Sequence, residues 1–98
     1  MHYQIKVTAF ANEIGRQLSP EIRKAAKAAL RELAENPDLG KELQAELGGF
    51  RFYRFMRYRL VYKIDSERKH VLVWAIGHRR DIYENLGDNI LKFSPETK

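Results

Sequence analysis

The chain has 98 residues, of which 44% are hydrophobic and 32% charged, a composition typical of one globular domain and not of a disordered segment. It contains no cysteine, which excludes a disulfide framework and a cysteine-based zinc site. No apolar run approaches the roughly 20 residues that a membrane-spanning helix needs, and the first residues lack a signal-peptide pattern. We therefore expect a single domain over residues 1–98, located in the cytoplasm, with no membrane partner.

The first elements in the chain are predicted to be a short strand and a short helix. Apolar and polar residues alternate over residues 3–8, which is typical of a half-buried strand. Phe10, Ile14 and Leu18 then recur every four residues, as they do on one face of a helix. The sequence therefore predicts that the strand leads directly into the first helix.

A second, longer helix is predicted between two proline signals. Ser19 can cap its first turn, and Pro20 fits the first helical position. The helix is expected to end at Asn36, because a residue that precedes proline, here Pro37, avoids helical backbone angles. The two helices are therefore predicted to form a hairpin.

Three strands are predicted in the second half of the chain, at Phe50–Met56, Tyr58–Asp65 and His70–Ile76. Short polar turns separate them, which favours an antiparallel meander. Together with the first strand they predict an α+β domain in which a four-stranded sheet carries both helices on one face. The first strand is expected to pair with the last strand. Residues 84–98 are predicted to be a short helix or a flexible tail.

Two arginines are predicted to meet on the sheet face that the helices leave uncovered. Alternation along the second and third strands places five side chains on that face: Phe52, Arg54, Arg59, Val61 and Lys63. Arg54 and Arg59 lie on adjacent antiparallel strands. We therefore expect their guanidinium groups to converge, and this arrangement suits a bidentate phosphate ligand.

Positive charge is concentrated in the predicted sheet. Residues 51–80 hold nine arginines and lysines against two acidic residues, a net charge of +7 in a chain whose total is +5. Tyrosine and phenylalanine alternate with these basic side chains. Basic surfaces with aromatic stacking platforms are typical of proteins that bind nucleic acids. The composition therefore favours RNA or DNA as a partner, although a basic surface that is merely solvated remains an alternative.

The last predicted strand leads into a run of groups that suit phosphate chemistry. After the apolar strand and Gly77 come His78, Arg79, Arg80 and, three residues later, Tyr83. Arginine stays charged at any working pH, whereas histidine and tyrosine can transfer protons. The strand end is therefore a candidate part of an active site for an anionic substrate.

The pattern as a whole resembles the RelE/ParE superfamily of bacterial and archaeal toxins. The matching stretches are Leu-Ala-Glu-Asn-Pro at 33–37, Tyr-Arg at 53–54, Tyr-Arg-Leu-Val-Tyr at 58–62 and Ile-Gly-His-Arg-Arg-Asp-Ile-Tyr at 76–83. Their order and spacing agree from Tyr3 to about Tyr83. The resemblance implies a toxin that a co-expressed antitoxin holds inactive, and its RelE-like members cut messenger RNA in the ribosomal decoding site.

The resemblance also implies which residues act. The positions that match the RelE-like site are Arg54, Arg59, Arg79 and Tyr83, and we expect a metal-independent endoribonuclease without a cofactor. We add His78 to this catalytic set because histidine is the residue type best suited to proton transfer near neutral pH. A further set is expected to bind RNA: Arg51, Phe52, Arg57, Lys63 and Arg80.

The chain departs from the RelE-like pattern at two places. Phe52 occupies a position that is often basic in that group, and phenylalanine cannot accept a proton. The general base is therefore open, with His78 ahead of Glu42 and Glu46 as candidates. Residues 56–57, Met-Arg, also replace the glycine-containing turn that usually joins two strands.

Two other functions stay open at this point. The resemblance also extends to ParE-like toxins, which block DNA gyrase and lack the cutting residues, and Phe52 favours this alternative. A non-toxic relative that only binds an antitoxin is the other. In the RelE-like interpretation the partners are an antitoxin, messenger RNA and the ribosome, with no metal and no small-molecule cofactor.

Overall fold

A computed structural model of the protein describes residues 2–43 and 48–78. This part of the chain contains five strands, two helices and a 3₁₀ turn at Pro37–Leu39. In chain order they are β1 (Gln4–Val7), α1 (Ala9–Gln17), α2 (Pro20–Glu35), β2 (Lys41–Glu42), β3 (Phe50–Phe55), β4 (Tyr58–Asp65) and β5 (His70–His78). None of the described helices is long and apolar enough to cross a membrane.

Both predicted helices are confirmed, and each begins at a capping side chain. The hydroxyl of Ser19 accepts a hydrogen bond from the Ile22 amide (3.4 Å) at the start of α2. At the start of α1, the buried Thr8 hydroxyl accepts from the Ala11 amide (3.1 Å) and donates to the Trp74 carbonyl (3.3 Å). Thr8 therefore caps its helix and also attaches it to the last strand.

The sheet has the order β1-β5-β4-β3-β2. Strands β3, β4 and β5 form the predicted antiparallel meander, and β1 pairs with β5 in parallel. The α+β class is confirmed, but the sheet has five strands instead of the predicted four. The additional strand is β2, where Lys41 and Glu42 pair with β3. Two residues are too few to show a period in the sequence.

The core has two parts, one on each side of the sheet. Helices α1 and α2 pack on the helix-bearing face, where Leu33, Leu60 and Val73 are fully buried. A smaller apolar cluster lies on the opposite side, which we call the helix-free face, and contains Phe50, Val61, Trp74 and Ala75. Phe10 from α1 packs against this cluster as well.

A β-bulge in β5 changes which way the end of that strand faces. Val61 pairs with Ala75 while the next residue, Tyr62, pairs with Val73, so Trp74 is an extra residue in β5. A bulge of one residue shifts the alternation of side chains beyond it to the opposite face. As a result Gly77 lies on the helix-free face beside Arg59.

Strand β2 is held in place by the buried hydroxyl of Tyr62. This hydroxyl donates a hydrogen bond to the Pro37 carbonyl (2.6 Å) and accepts one from the Gly40 amide (3.0 Å). Arg51 reinforces the arrangement by donating to the Gly40 carbonyl (2.8 Å). The loop before β2 is therefore tied to the centre of β4 and not only to its neighbour β3.

We expect this buried hydroxyl to make the protein less stable at alkaline pH. Burial raises the pKa of Tyr62 above its ordinary value of 10.0, so above about pH 10 the unfolded chain releases this proton while the folded chain retains it. The contribution is complete below pH 10 and is lost as the pH rises. Tyr62→Phe should lower the free energy of unfolding at pH 7 by about 1–3 kcal/mol and weaken its alkaline decline.

Urea unfolding at a series of pH values from neutral to alkaline would measure this effect. Tyr53→Phe is the comparison for loss of a hydroxyl: the Tyr53 hydroxyl donates to Glu32 at the surface, so its removal should cost less stability at pH 7 than removal of the buried Tyr62 hydroxyl. Parallel pH profiles for the wild type and Tyr62→Phe would contradict the assignment.

Candidate functional site

Arg54 and Arg59 are direct cross-strand partners on the helix-free face. Side chains at such positions have Cβ atoms about 4.5–5.5 Å apart, and two like charges placed there destabilise the sheet. Arg54 is exposed and Arg59 is half-buried. A bound anion between the two guanidinium groups would offset their repulsion. The structure confirms that the two arginines are cross-strand partners on one face, an arrangement that suits phosphate.

An aromatic ring supports one of these arginines. The guanidinium carbon of Arg59 lies 4.4 Å from the centroid of the Phe52 ring, a distance typical of a cation–π contact. On the other side of Arg59, the cross-strand neighbour in β5 is Gly77, which has no side chain. The arginine is therefore oriented by a ring on one side and bordered by bare backbone on the other.

The helix-free face carries more lysines than the sequence predicts. Lys41 pairs with Phe52, and Lys6 occupies the same cross-strand row as Leu72 and Lys63, so all of these side chains share the face. Sequence reasoning missed Lys41 because the two-residue strand β2 has no pattern, and missed Lys6 because β1 had no assigned register.

Two of the predicted site residues lie on the other side of the sheet. His78 is the last residue of β5 and pairs with Tyr58, and its ring centroid is 4.4 Å from that of Tyr58. Both follow the alternation of the helix-bearing face. Arg51 also faces this way, and its guanidinium lies 3.3 Å from Glu42 and 3.7 Å from Asp38. The structure therefore does not bring His78 or Arg51 together with Arg54 and Arg59.

The other predicted residues divide into two groups. Arg57 is exposed in the two-residue turn between β3 and β4, where Met56 takes the turn's positive φ of 53° in place of a glycine. Arg79, Arg80, Tyr83 and Glu46 lie outside the described residues, as do residues 84–98. Glu42, the remaining candidate base, pairs with Arg51.

The described part of the site is equipped to bind a phosphate group and orient it. Two arginines supply fixed hydrogen-bond donors that keep their charge, and the neighbouring phenylalanine offers a flat surface to a base. Residues 2–43 and 48–78 contain no group of three or more histidine, aspartate or glutamate side chains placed to hold a metal ion. His70 and Asp65 are cross-strand partners on the helix-free face, and they lie at the end of that face remote from Arg59.

Comparisons with known proteins agree over most of the chain. The family described as "ParE toxin of type II toxin-antitoxin system, parDE" matches residues 6–83. Toxin RelG of Mycobacterium tuberculosis is 36% identical over 85 residues, which cover 85% of this chain and 98% of RelG. The residues that the family matches include strands β2 to β5, the end of β1 and both arginines on the helix-free face.

Solved structures share the fold. A chain in the toxin–antitoxin complex RelBE2 from Mycobacterium tuberculosis has a TM-score of 0.75 and 33% identity, covering 81% of this chain and all of that one. A mutant of the Escherichia coli toxin RelE in its free state also has a TM-score of 0.75, with 23% identity and coverage of 94% and 97%. Because the identity to RelE is only 23%, that match shows a shared fold and nothing further.

Proposed function

Because this chain belongs to the RelE/ParE superfamily of type II toxins, we propose that it is a metal-independent endoribonuclease that cuts messenger RNA on the ribosome. The observation that carries the proposal is the cross-strand pair Arg54 and Arg59 on a basic sheet face. Two arginines opposite each other on adjacent strands repel, and the negative charge of a phosphodiester bound between them would offset that repulsion.

The proposed reaction uses a nucleophile that the RNA itself provides. The 2′-oxygen attacks the adjacent phosphorus as its proton leaves, the bond from phosphorus to the 5′-oxygen breaks, and the departing 5′-oxygen gains a proton. Negative charge grows on the phosphoryl oxygens during this step. Arg59 and Arg54 would stabilise that charge, and by fixing the phosphate they would also align the attacking and leaving oxygens.

The sheet separates His78 from the two paired arginines. His78 and Arg59 face opposite sides of the sheet, so the geometry favours the arginines as phosphate ligands and does not place the imidazole beside the same phosphate. A role for His78 in moving protons, for Arg79 in binding phosphate and for Tyr83 in positioning the substrate stays a prediction from the sequence. Single alanine variants at the three positions would rank them.

The proposed partners follow from the same family. The RelBE2 structure is that of a toxin–antitoxin complex, and we propose that this chain too is neutralised by an antitoxin. Messenger RNA held in the ribosome is the proposed substrate, which places the activity in the cytoplasm. The helix-free face, with its excess of lysine and arginine, is the surface that we assign to RNA.

Induction of the protein alone in a bacterial host, followed by mapping of 5′ ends in messenger RNA, tests the proposal. Growth arrest with new ends inside translated frames is the expected result. Arg31→Ala on the exposed side of α2 should behave like the wild type, while Arg54→Ala should give fewer new ends. Arrest without new ends in translated frames would refute the nuclease function.

A ParE-like toxin that binds DNA gyrase is the second candidate. Two points favour it. The matching family is named for ParE, and Phe52 stands at a position that the resemblance to RelE-like toxins leads us to expect to be basic. Such a toxin would arrest growth, raise DNA damage signals and leave messenger RNA intact. A relative that only binds an antitoxin would be harmless when induced. The same induction experiment separates all three.

Replacing Phe52 with leucine should reduce RNA cutting a few-fold without unfolding the protein. A cation–π contact at a partly exposed site contributes about 0.5–1 kcal/mol, which corresponds to about a 2- to 5-fold change in rate if Phe52 orients Arg59. Phe52→Tyr keeps the ring and is the matched control. Cutting by ribosome-bound toxin in a translation extract is the measurement, and equal rates for Phe52→Leu and the wild type would argue against this role.

A further inference from the structure

The proposed cleavage requires a proton donor, because the departing 5′-oxygen must gain a proton as its bond to phosphorus breaks. The paired arginines are poor donors, since a guanidinium group keeps its protons at any working pH. His78 carries a suitable group but lies on the opposite side of the sheet from Arg59. A donor on the same face as the arginines is therefore needed.

The register of the strands singles out one lysine for this task. The described lysine and histidine side chains of the helix-free face are Lys6, Lys41, Lys63 and His70. Lys41 lies in the same cross-strand row as Phe52, and the guanidinium of Arg59 lies over the ring of Phe52. Lys63 pairs with Phe50 one row further along, and its ammonium group lies 4.7 Å from the centroid of that ring. The remaining two lie in that row or beyond it, so Lys41 is the described donor nearest to the ring that supports Arg59.

The side chain of Lys41 can reach an anion that the arginines hold. Cross-strand partners have Cβ atoms about 4.5–5.5 Å apart, and diagonal neighbours such as Lys41 and Arg54 are about 7–8 Å apart, distances that long side chains span. Strand β3 lies between β2 and β4. A phosphate above the Phe52 ring is therefore bordered by Arg59 from β4 and by Lys41 from β2.

The backbone at Lys41 is fixed on both sides, although the side chain itself is exposed. Immediately before it, the Gly40 amide donates to the Tyr62 hydroxyl (3.0 Å), and the Gly40 carbonyl accepts from Arg51 (2.8 Å). Two residues after it, the Leu43 amide donates to a carbonyl of β3 (2.9 Å). Proton transfer requires a donor within hydrogen-bond distance of its acceptor, and a side chain on an anchored strand is held in place better than one on a loop.

We propose that Lys41 is the general acid of the cleavage and protonates the departing 5′-oxygen. This inference rests on the proposed function, because its substrate is an RNA phosphodiester. The 2′-oxygen forms its bond to phosphorus as its proton passes to a water molecule. The bond from phosphorus to the 5′-oxygen breaks, and the electron pair left on that oxygen takes a proton from the Lys41 ammonium, which becomes a neutral amine. The proton released to water then returns to the amine through the solvent.

A substrate whose leaving group needs no proton tests this role. The cut site found by 5′-end mapping is rebuilt in a synthetic messenger RNA, once with its ordinary 5′-oxygen and once with sulfur in that bridging position. Cutting on ribosomes that carry each RNA is measured in a single turnover. Lys41→Gln should slow cutting of the ordinary RNA by about 10²- to 10⁴-fold. The sulfur-containing RNA should be cut within a few-fold of the wild-type rate, because a thiolate leaves readily without a proton.

Replacing the lysine with arginine separates proton transfer from charge. Lys41→Arg keeps a positive charge beside the phosphate but gives up a proton far less readily, so it should be slow on the ordinary RNA and fast on the sulfur-containing RNA. A wild-type rate for this variant on the ordinary RNA would overturn the proposal, because charge alone would then be sufficient. Slow cutting of both RNAs by Lys41→Gln would overturn it too, because a residue that only binds RNA affects both substrates.

Further controls keep this result separate from folding and from the proposed function. Lys24→Gln on the exposed side of α2 should cut both RNAs at the wild-type rate, whereas Arg59→Ala should be slow on both because it acts on the phosphoryl oxygens. An unchanged unfolding midpoint for Lys41→Gln shows that the variant is folded. Wild-type cutting of both RNAs by Lys41→Gln overturns the proposal while the nuclease function stands. If the wild type cuts neither RNA, the nuclease function fails and the proposal falls with it.

Discussion

Replacing Arg59 with alanine is expected to abolish growth arrest and to slow RNA cutting by about 10²- to 10³-fold. Loss of one group that stabilises developing charge in a transition state typically costs about 3–4 kcal/mol. Arg59 is the better placed of the two paired arginines, because it is half-buried and its guanidinium lies against the Phe52 ring. Single-turnover cutting of messenger RNA in a translation extract measures the rate directly.

Lysine at the same position separates charge from geometry. Arg59→Lys retains the positive charge but loses the planar fork, so an intermediate rate indicates that bidentate contact with phosphate matters. Arg31→Ala, on the exposed side of α2, should cut at the wild-type rate. Full activity of Arg59→Ala with an unchanged unfolding midpoint would show that the cross-strand arginine pair is not the phosphate site.

Adding a single methyl group at Gly40 should destabilise the whole domain. A Cβ atom there would lie 2.6 Å from the Phe52 carbonyl oxygen and closer still to the hydroxyl of Tyr62, and neither group can move without breaking a hydrogen bond or the β2–β3 pairing. Overpacking typically costs about 1–3 kcal/mol, and an unpaired buried polar group costs a similar amount. We expect Gly40→Ala to lose about 3 kcal/mol in total.

The chain provides a matched glycine for comparison. In α1, a Cβ atom at Gly15 would have its nearest neighbour, the Ile76 side chain, at 4.0 Å, which is ordinary contact. Gly15→Ala should therefore stabilise the protein by about 0.5–1 kcal/mol through helix propensity. Thermal unfolding of the two variants should show shifts of opposite sign. A Gly40→Ala protein as stable as the wild type would mean that β2 is not fixed by the Tyr62 hydroxyl.

Local sequence signals predicted most of the fold. Ser19 and Pro20 defined the start of α2, Asn36 defined its end, and alternation from Tyr58 to Asp65 gave β4 with both of its boundaries. These features depend on residues close together in the sequence, and helix-capping preferences and the spacing of apolar residues predict such local features well. Strand β2 escaped prediction because it exists only through pairing with β3 and through the Tyr62 hydroxyl, contacts between residues far apart in the chain.

The sequence predicted only part of the candidate site, because local patterns again succeed where the strands are regular and fail where they are not. The pairing of Arg54 with Arg59 on one face follows from alternation on two regular strands joined by a short turn, so counting residues was sufficient. In β5, counting residues assigns side chains to the wrong face, because the extra residue Trp74 shifts the side chains after it to the opposite face of the sheet. His78 therefore lies with Tyr58 instead of with the arginines, and no sequence signal marks a bulge inside a run that is apolar on both faces.

The parallel pairing of β1 with β5 has a consequence for the time at which the toxin becomes complete. Residues 4–7 leave the ribosome early, but their partners at 70–73 are made only after most of the chain has been synthesised. At about 5–20 residues per second, the first strand waits several seconds for its neighbour. A nascent chain therefore cannot close its sheet while most of it is still unmade. Under the proposed function, such a chain would not yet be active on the ribosome that is producing it. If an antitoxin neutralises the protein as proposed, folding of the last strand is the step at which that antitoxin is first needed.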